Sequence, residues 1–459
     1  MSANLEQQLS AMRRFHESGA TQSYAFRKKQ LLALKQAIIA YEEEIYTALF
    51  SDLKKSKEEC WATENGFTMA ELNNALANLK HWMEPTSVST NILNMPSSSR
   101  IFREPLGLVL IIGPWNYPFQ LLITPLIGAI AAGNCVVLKP SEFAPATEAL
   151  MQKMITAIFP AEYVLYVPGD GAKVIPEMME KTRFDHVFYT GSTLVGKIIY
   201  KMAAEKLVPV TLELGGKSPC VVEADANIDV SAKRIMMTKF SNAGQMCVAP
   251  DYVLVHASVK DALVDAMRKS IQQFFGSRAE DSENFGKIIN HKQFDRLVAY
   301  QSQGRILYGG RTDREKLFIE PCLLDNLVDN ASIMQDEIFG PILPIISFTT
   351  KDEAKAIIAK HPNPLAFYVF TQSVEKENEW LQAVPSGGAC VNNASWHLTN
   401  HSLPFGGRGF SGTGAYHGKY SMDTFSHKKA VMKTPTWFDP AMKYPPFKGK
   451  LWLFKWLIR

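Results

Sequence analysis

At 459 residues, 46% of them hydrophobic and 20% charged, with a formal net charge of +4, the chain is too long for a single core and reads as an ordinary multidomain globular protein. Both signs of charge run along its length and no Lys/Arg block interleaves with aromatics, which excludes a nucleic-acid footprint. Its six cysteines lie far apart with no C-x-x-C pair, which argues against a zinc site, a redox motif or a disulfide framework and for a reducing compartment.

Residues 1–14 hold no apolar signal core, so a cytoplasmic location is expected. The first periodic segment is helical: Leu31, Leu34, Ile38, Ile45 and Leu49 recur at steps of three, four and seven. From residue 105 to residue 138 there is no charged side chain. A membrane span needs about 20 unbroken apolar residues. Here Gly113, Pro114, Asn116, Pro118, Gln120 and Pro125 interrupt the run, so a buried strand (106–112), a loop and a buried helix (119–132) are predicted. Strands at 135–138, 163–167 and 186–189 then alternate with helices at 146–159 and 194–205. A second alternating series is expected to open near Val210, with strands at 210–214, 220–222 and 252–255. Such alternation implies βαβ units and parallel sheets. The division is 1–209, 210–418 and 419–459. The last segment, 437–459, is rich in Pro, Trp and Lys; it is too short to span a membrane and is expected to pack on the protein's own surface.

Two segments carry candidate chemistry. Gly191-Ser-Thr-Leu-Val-Gly196-Lys197 follows a strand and opens a helix, where glycines let backbone approach a phosphate and the helix start favours an anion. It misses the dinucleotide fingerprint at Thr193 and the P-loop at Ile198, and a plain glycine turn explains it equally well. Cys247 sits in Gly244-Gln-Met-Cys-Val-Ala-Pro250, a loop where a thiol is reachable, whereas Cys135 and Cys220 lie in apolar strand-like runs and read as structural. A thiol nucleophile needs a partner for proton transfer, and Glu213, at a strand end in Glu213-Leu-Gly-Gly-Lys-Ser-Pro219, is the candidate.

With these segments in order, the chain resembles the aldehyde dehydrogenases. The resemblance runs through Gly113-Pro-Trp-Asn-Tyr-Pro118, Leu138-Lys-Pro-Ser-Glu142, the glycine turn at 191–197, the segments at 213–219 and 244–253, Glu337-Ile-Phe-Gly-Pro341 and Pro404-Phe-Gly-Gly407. Ala249-Pro-Asp-Tyr-Val253, Gly414-Ala-Tyr-His-Gly418 and Asp423-Thr-Phe-Ser-His427 resemble the class 3 branch, with Met246 where that branch usually has Thr.

The resemblance implies an α/β fold: a Rossmann-type dinucleotide-binding domain, an α/β catalytic domain and a small bridging β-element near 97–104 and 428–434. It implies NAD or NADP as cofactor, a homodimer, no metal, and medium- or long-chain aliphatic or aromatic aldehydes as substrates. Cys247 would attack the carbonyl, Asn116 and the Cys247 N–H would hold the oxyanion, and Glu213 would activate the hydrolytic water. Lys139 and Glu142 would meet the adenosine ribose, and Trp115 and Ser192, with Gly191 and Gly196, the pyrophosphate. Glu337 would hold the nicotinamide ribose, with Phe339 beside the ring. Glu337 is also open to a share in proton transfer. Segments 385–388 and 391–393 read as loop-shaping glycines and a backbone-bonding Asn.

Three alternatives stand beside this reading. A P-loop phosphotransferase lacks its hydroxyl at Ile198. An acylating reductase has no need of Glu213. A non-catalytic scaffold has no need of Asn116, Glu213 and Cys247 together.

Overall fold

The computed structural model describes residues 2–458; Met1 and Arg459, which end the first and last predicted segments, lie outside them. Two mixed sheets organise the chain. The first runs, edge to edge, Gly412–Thr413, Val210–Leu214, His186–Gly191, Leu108–Ile112, Cys135–Lys139 and Val164–Tyr166. All neighbours are parallel except the short Gly412–Thr413 edge. Its central strands Leu108–Ile112 and Cys135–Lys139 are buried throughout, as expected for parallel strands covered by helices on both faces. Strand order reverses between Leu108–Ile112 and His186–Gly191, and a crevice outside the carboxyl ends at such a switch point is where open α/β sheets take ligands.

The uncharged stretch is resolved as expected. Helix Gln120–Ala132 has every residue buried, and Gly133 in the left-handed region (φ 92°) ends it. Among the described residues no helix is long and apolar enough to cross a membrane.

Three details differ from the sequence expectation. Strand Val210–Leu214 does not open the second sheet; it pairs in parallel with His186–Gly191, and the second sheet's first strand in the chain is Pro219–Val222. The periodic segment at 31–49 is two helices, Tyr24–Ala40 and Glu42–Leu53, broken at Tyr41. Glu42, Glu43 and Glu44 fill the first turn of the second helix, where its dipole favours carboxylates. The tail does not bury its rings: Trp437, Trp452 and Trp456 are 78%, 70% and 67% exposed. Its last helix, which follows Gly449 in the left-handed region (φ 84°), is the seven residues Leu451–Leu457, too short to hold a long apolar face against the body.

The second sheet runs Arg305–Tyr308, Cys322–Asp325, Ile342–Phe348, Tyr252–His256, Pro219–Val222, Ala366–Phe370 and Gly388–Val391. A separate three-stranded sheet joins Thr86–Val88, Ser98–Pro105 and Ser426–Lys433, close to the segments expected for the bridging element.

Candidate active site

Cys247 is presented by an unusual turn. Helix Ile228–Phe240 ends and three successive residues, Asn242 (φ 49°), Ala243 (φ 51°) and Gly244 (φ 76°), adopt left-handed backbone. That conformation costs about 1–2 kcal/mol at each non-glycine residue. Asn242 offsets part of the cost, because its Nδ2 donates to the Asn116 carbonyl at 2.7 Å and to the Gln245 carbonyl at 3.2 Å. Gly244 is required: a Cβ there would lie 2.3 Å from the Gly340 carbonyl oxygen. Buried Gln245 then donates from Nε2 to the carbonyls of Asn242 and Lys287, both at 3.0 Å, and accepts from the Ile289 N–H. Beyond the cysteine, the Tyr368 hydroxyl donates to the Val248 carbonyl at 2.6 Å. The loop carrying Cys247 is therefore pinned on both sides.

Cys247 and Glu213 line one cavity of about 260 Å³, walled by Phe67, Leu121, Met246, Leu398, Phe405 and Tyr416. Met246, which stands where the class 3 branch usually has Thr, forms part of that wall. Glu213 is delivered by strand Val210–Leu214, held in register between Thr190 and Gly412. It is buried, and neither carboxylate oxygen has a hydrogen-bond partner among the described residues. A buried polar group without a partner is costly, so such a group marks a place that something polar must enter. Burial alone pushes its pKa well above the carboxylate range. The Cys247 thiol is also pushed up, first by burial and then by the charges on Glu337 and Glu213. Cys135 and Cys220 are fully buried, in keeping with structural roles.

Asn116 is buried and is not part of the cavity wall; it is bonded to the cysteine loop. Its Nδ2 donates to the Gln245 carbonyl at 3.0 Å, two residues before Cys247, and its second N–H remains for another acceptor. Its own carbonyl receives Asn242 and, at 3.1 Å, the ammonium of Lys55. Lys55 gave no sign of this in the sequence, since it stands in a run of polar residues.

The remaining predicted residues end or follow strands of the first sheet, except Glu337 and Phe339, which precede strand Ile342–Phe348 of the second. Ser192 caps helix Thr193–Glu205, accepting the Val195 N–H at 3.4 Å, and the helix start points into a groove of about 470 Å³ lined by Thr193, Lys197, Gly215, Gly216, Glu337 and Phe410. Gly191 is half-buried, and a Cβ on it would meet the Tyr189 hydroxyl at 2.3 Å. Gly196 is buried, and a Cβ on it would lie 2.6 Å from the Leu214 side chain, so its lack of one lets helix close on strand. Lys139 is buried at the end of its strand and bonds the Pro140 carbonyl and, at 3.3 Å, Glu142. Glu142 also accepts the Gly171 N–H at 3.0 Å. The rings of Trp115 and Phe339 meet edge to face at 5.3 Å, and Phe339 itself is left-handed (φ 51°), a costly backbone for an aromatic residue. Glu337 receives the Gly216 N–H, and its pKa is raised to about 8 by burial and the nearby Asp251. The bland reading of Asn392 holds: its side chain bonds the Thr371 N–H and carbonyl at 2.9 and 2.8 Å.

Residues 2–431 match the model of the aldehyde dehydrogenase family. The chain is 44% identical to a 4,4'-diaponeurosporen-aldehyde dehydrogenase from Staphylococcus aureus, over 97% of each protein. It is 42% identical to aldehyde dehydrogenase family 3 member H1 of Arabidopsis thaliana, over 100% of this chain and 95% of the relative. A solved structure described as the substrate-bound state of Staphylococcus aureus AldH superimposes with a TM-score of 0.96 over 99% of each chain, at 44% identity. The fold, the pinned thiol facing a buried carboxylate and these likenesses agree: the chain belongs to the aldehyde dehydrogenase family, with family 3 members among its relatives, and is an aldehyde-oxidising enzyme.

Proposed function

We propose that this enzyme oxidises medium- or long-chain aliphatic or aromatic aldehydes through a thiohemiacetal and a thioester on Cys247, with Glu213 activating the hydrolytic water. The observation that carries the reading is a single apolar cavity holding a thiol and an unpartnered carboxylate. Burial and two carboxylates favour the neutral thiol, so its proton leaves to solvent as the S–C bond forms, and Glu213, which lines the same cavity, is kept for the second half of the reaction. The substrate oxygen becomes an alkoxide. The free N–H of Asn116 and the backbone N–H of Cys247 are the donors to hold it, as oxyanion holes do. NAD or NADP held in the groove would supply the hydride acceptor that turns the thiohemiacetal into a thioester on Cys247. Glu213 then takes a proton from water as its oxygen adds to the thioester carbonyl, and collapse breaks the C–S bond, releasing acid and thiol. The aromatic and aliphatic walls suit an apolar tail. The direct test is a panel of aldehydes assayed with each cofactor, and a preference for small polar aldehydes would overturn the substrate assignment.

The groove fits a dinucleotide on its own chemistry. It offers the start of the helix capped by Ser192, with Thr193 and Lys197 on its wall, and Gly215, where a Cβ would fall 1.8 Å from a Glu337 oxygen; Lys139 and Glu142 stand at a strand end of the same sheet. Gly215→Ala should push Glu337 off the Gly216 N–H and raise KM for NAD(P) about tenfold or more; an unchanged KM would remove Glu337 from the cofactor site.

Asn116→Ala should cost about a hundredfold or more in kcat, the size seen when one oxyanion donor is lost. A change confined to KM would contradict its role.

A second reading is favoured by one observation: the charge on Glu337 acts on Cys247 more strongly than that on Glu213, and with its pKa near 8 Glu337 could share proton transfer. Glu337→Gln leaving the pH profile of turnover unmoved would dismiss it. The exposed edge strands Thr86–Val88 and Ser426–Lys433 of the three-stranded sheet support a homodimer; light scattering at the mass of one chain would refute it.

A further inference from the structure

Resting on the oxyanion reading of Asn116, we propose that the buried Lys55–Glu64 ion pair is a positioning device that fixes the Asn116 peptide so that its side-chain amide stays aimed at the reacting oxygen.

Both side chains are fully buried, and Lys55 Nζ lies 2.6 Å from Glu64 Oε1. The pair brackets one short stretch of chain. At its start, Lys55 donates to the Asn116 carbonyl at 3.1 Å and sits over the Tyr117 ring, 3.8 Å from its centroid. At its end, the other Glu64 oxygen accepts the N–H groups of Phe119 and Gln120 at 3.1 and 2.9 Å, where helix Gln120–Ala132 begins. Glu64 is brought there by a five-residue π-turn, Trp61–Asn65, set between helices Lys57–Cys60 and Gly66–Met83. Turns of that kind frequently mark functional sites.

Stability alone does not account for this arrangement. Taking two charges out of water costs several kcal/mol per ion, and an apolar pair of similar volume is often as stable or more so. What an apolar pair could not do is hold a carbonyl at one end and two N–H groups at the other. The same Asn116 carbonyl takes the Asn242 amide, and the Asn116 amide takes the Gln245 carbonyl. Lys55 therefore couples the helical N-terminal region to the turn that presents Cys247. An oxyanion donor displaced by about 1 Å can lose about a hundredfold in rate.

The test uses the full-length enzyme at saturating cofactor, with kcat, KM and the melting temperature read for Lys55→Met, for Lys55→Met/Glu64→Gln, for Asn116→Ala, and for each Lys55 variant combined with Asn116→Ala. The paired variant leaves no unpaired charge in the interior, so it keeps the test readable if Lys55→Met alone fails to fold. Expected is a fall in kcat of about tenfold or more with KM for the aldehyde little changed, and no further fall when the substitution is added to Asn116→Ala. A folded paired variant with wild-type kcat, or losses that multiply with that of Asn116→Ala, would overturn the positioning role while leaving the oxyanion reading intact. If Asn116→Ala itself keeps full kcat, the oxyanion reading falls first and this proposal with it.

Discussion

Replacing Cys247 by Ala is expected to abolish aldehyde-dependent formation of reduced nicotinamide, a loss of roughly 10⁴-fold or more, because no covalent intermediate can form. No other thiol is placed to substitute. Cys60, Cys135, Cys220 and Cys322 are buried at 0% exposure. Cys390 is half-buried but does not line the cavity, and its Sγ lies 3.3 Å from His397 Nδ1. The variant should fold normally, since the thiol is only partly buried and the turn before it is held by Asn242 and Gln245, not by sulfur. Thiol titration supplies an independent check. In the wild-type enzyme one thiol, protected by an aldehyde analogue, should react ahead of the buried ones, and Cys247→Ala should lose it. Substantial turnover in the variant would move the nucleophile elsewhere.

Much of this site could be read before any coordinates, and the reason is local. Cys247 and Glu213 sit in loops and strand ends whose Gly, Pro and polar neighbours announce them, and the strand at 108–112 declares itself as an apolar run between a charged strand and a Gly-Pro turn. What escaped depends on contacts between distant segments. Val210–Leu214 has the pattern of a strand in either sheet, and only its pairing with His186–Gly191 assigns it to the first. The break at Tyr41 carries no proline or glycine, so periodicity ran straight through it. Lys55 is followed by Ser, Lys, Glu and Glu and reads as a solvated side chain; its burial is decided by Glu64 and by the Asn116 carbonyl, reached only when the helices pack. In each case the sequence shows the type of residue and the fold supplies its partner.

Glu213→Gln should separate the two halves of the reaction. The amide keeps the shape of the carboxyl but cannot take a proton from water. A pre-steady-state burst of reduced cofactor, close to one per active site, should survive while steady-state turnover falls about 10²- to 10³-fold. Because burial raises the Glu213 pKa, its basic form grows in only as pH rises through that elevated value. Wild-type deacylation should therefore climb with pH beyond the ordinary carboxylate range, and the variant should lose that rise. Stability should move the other way. The folded pKa lies above the value of about 4.5 that the carboxyl has when unfolded, so between the two the folded state binds the extra proton and loses stability as pH rises. Glu213→Gln removes that penalty. Its melting temperature should exceed the wild type's at neutral pH, and the two should converge below pH 4.5. A burst that vanishes while deacylation is unchanged would give Glu213 a different role. A variant less stable at neutral pH would mean that the carboxylate has a partner in solution, and that it is not the idle base its lack of contacts indicates.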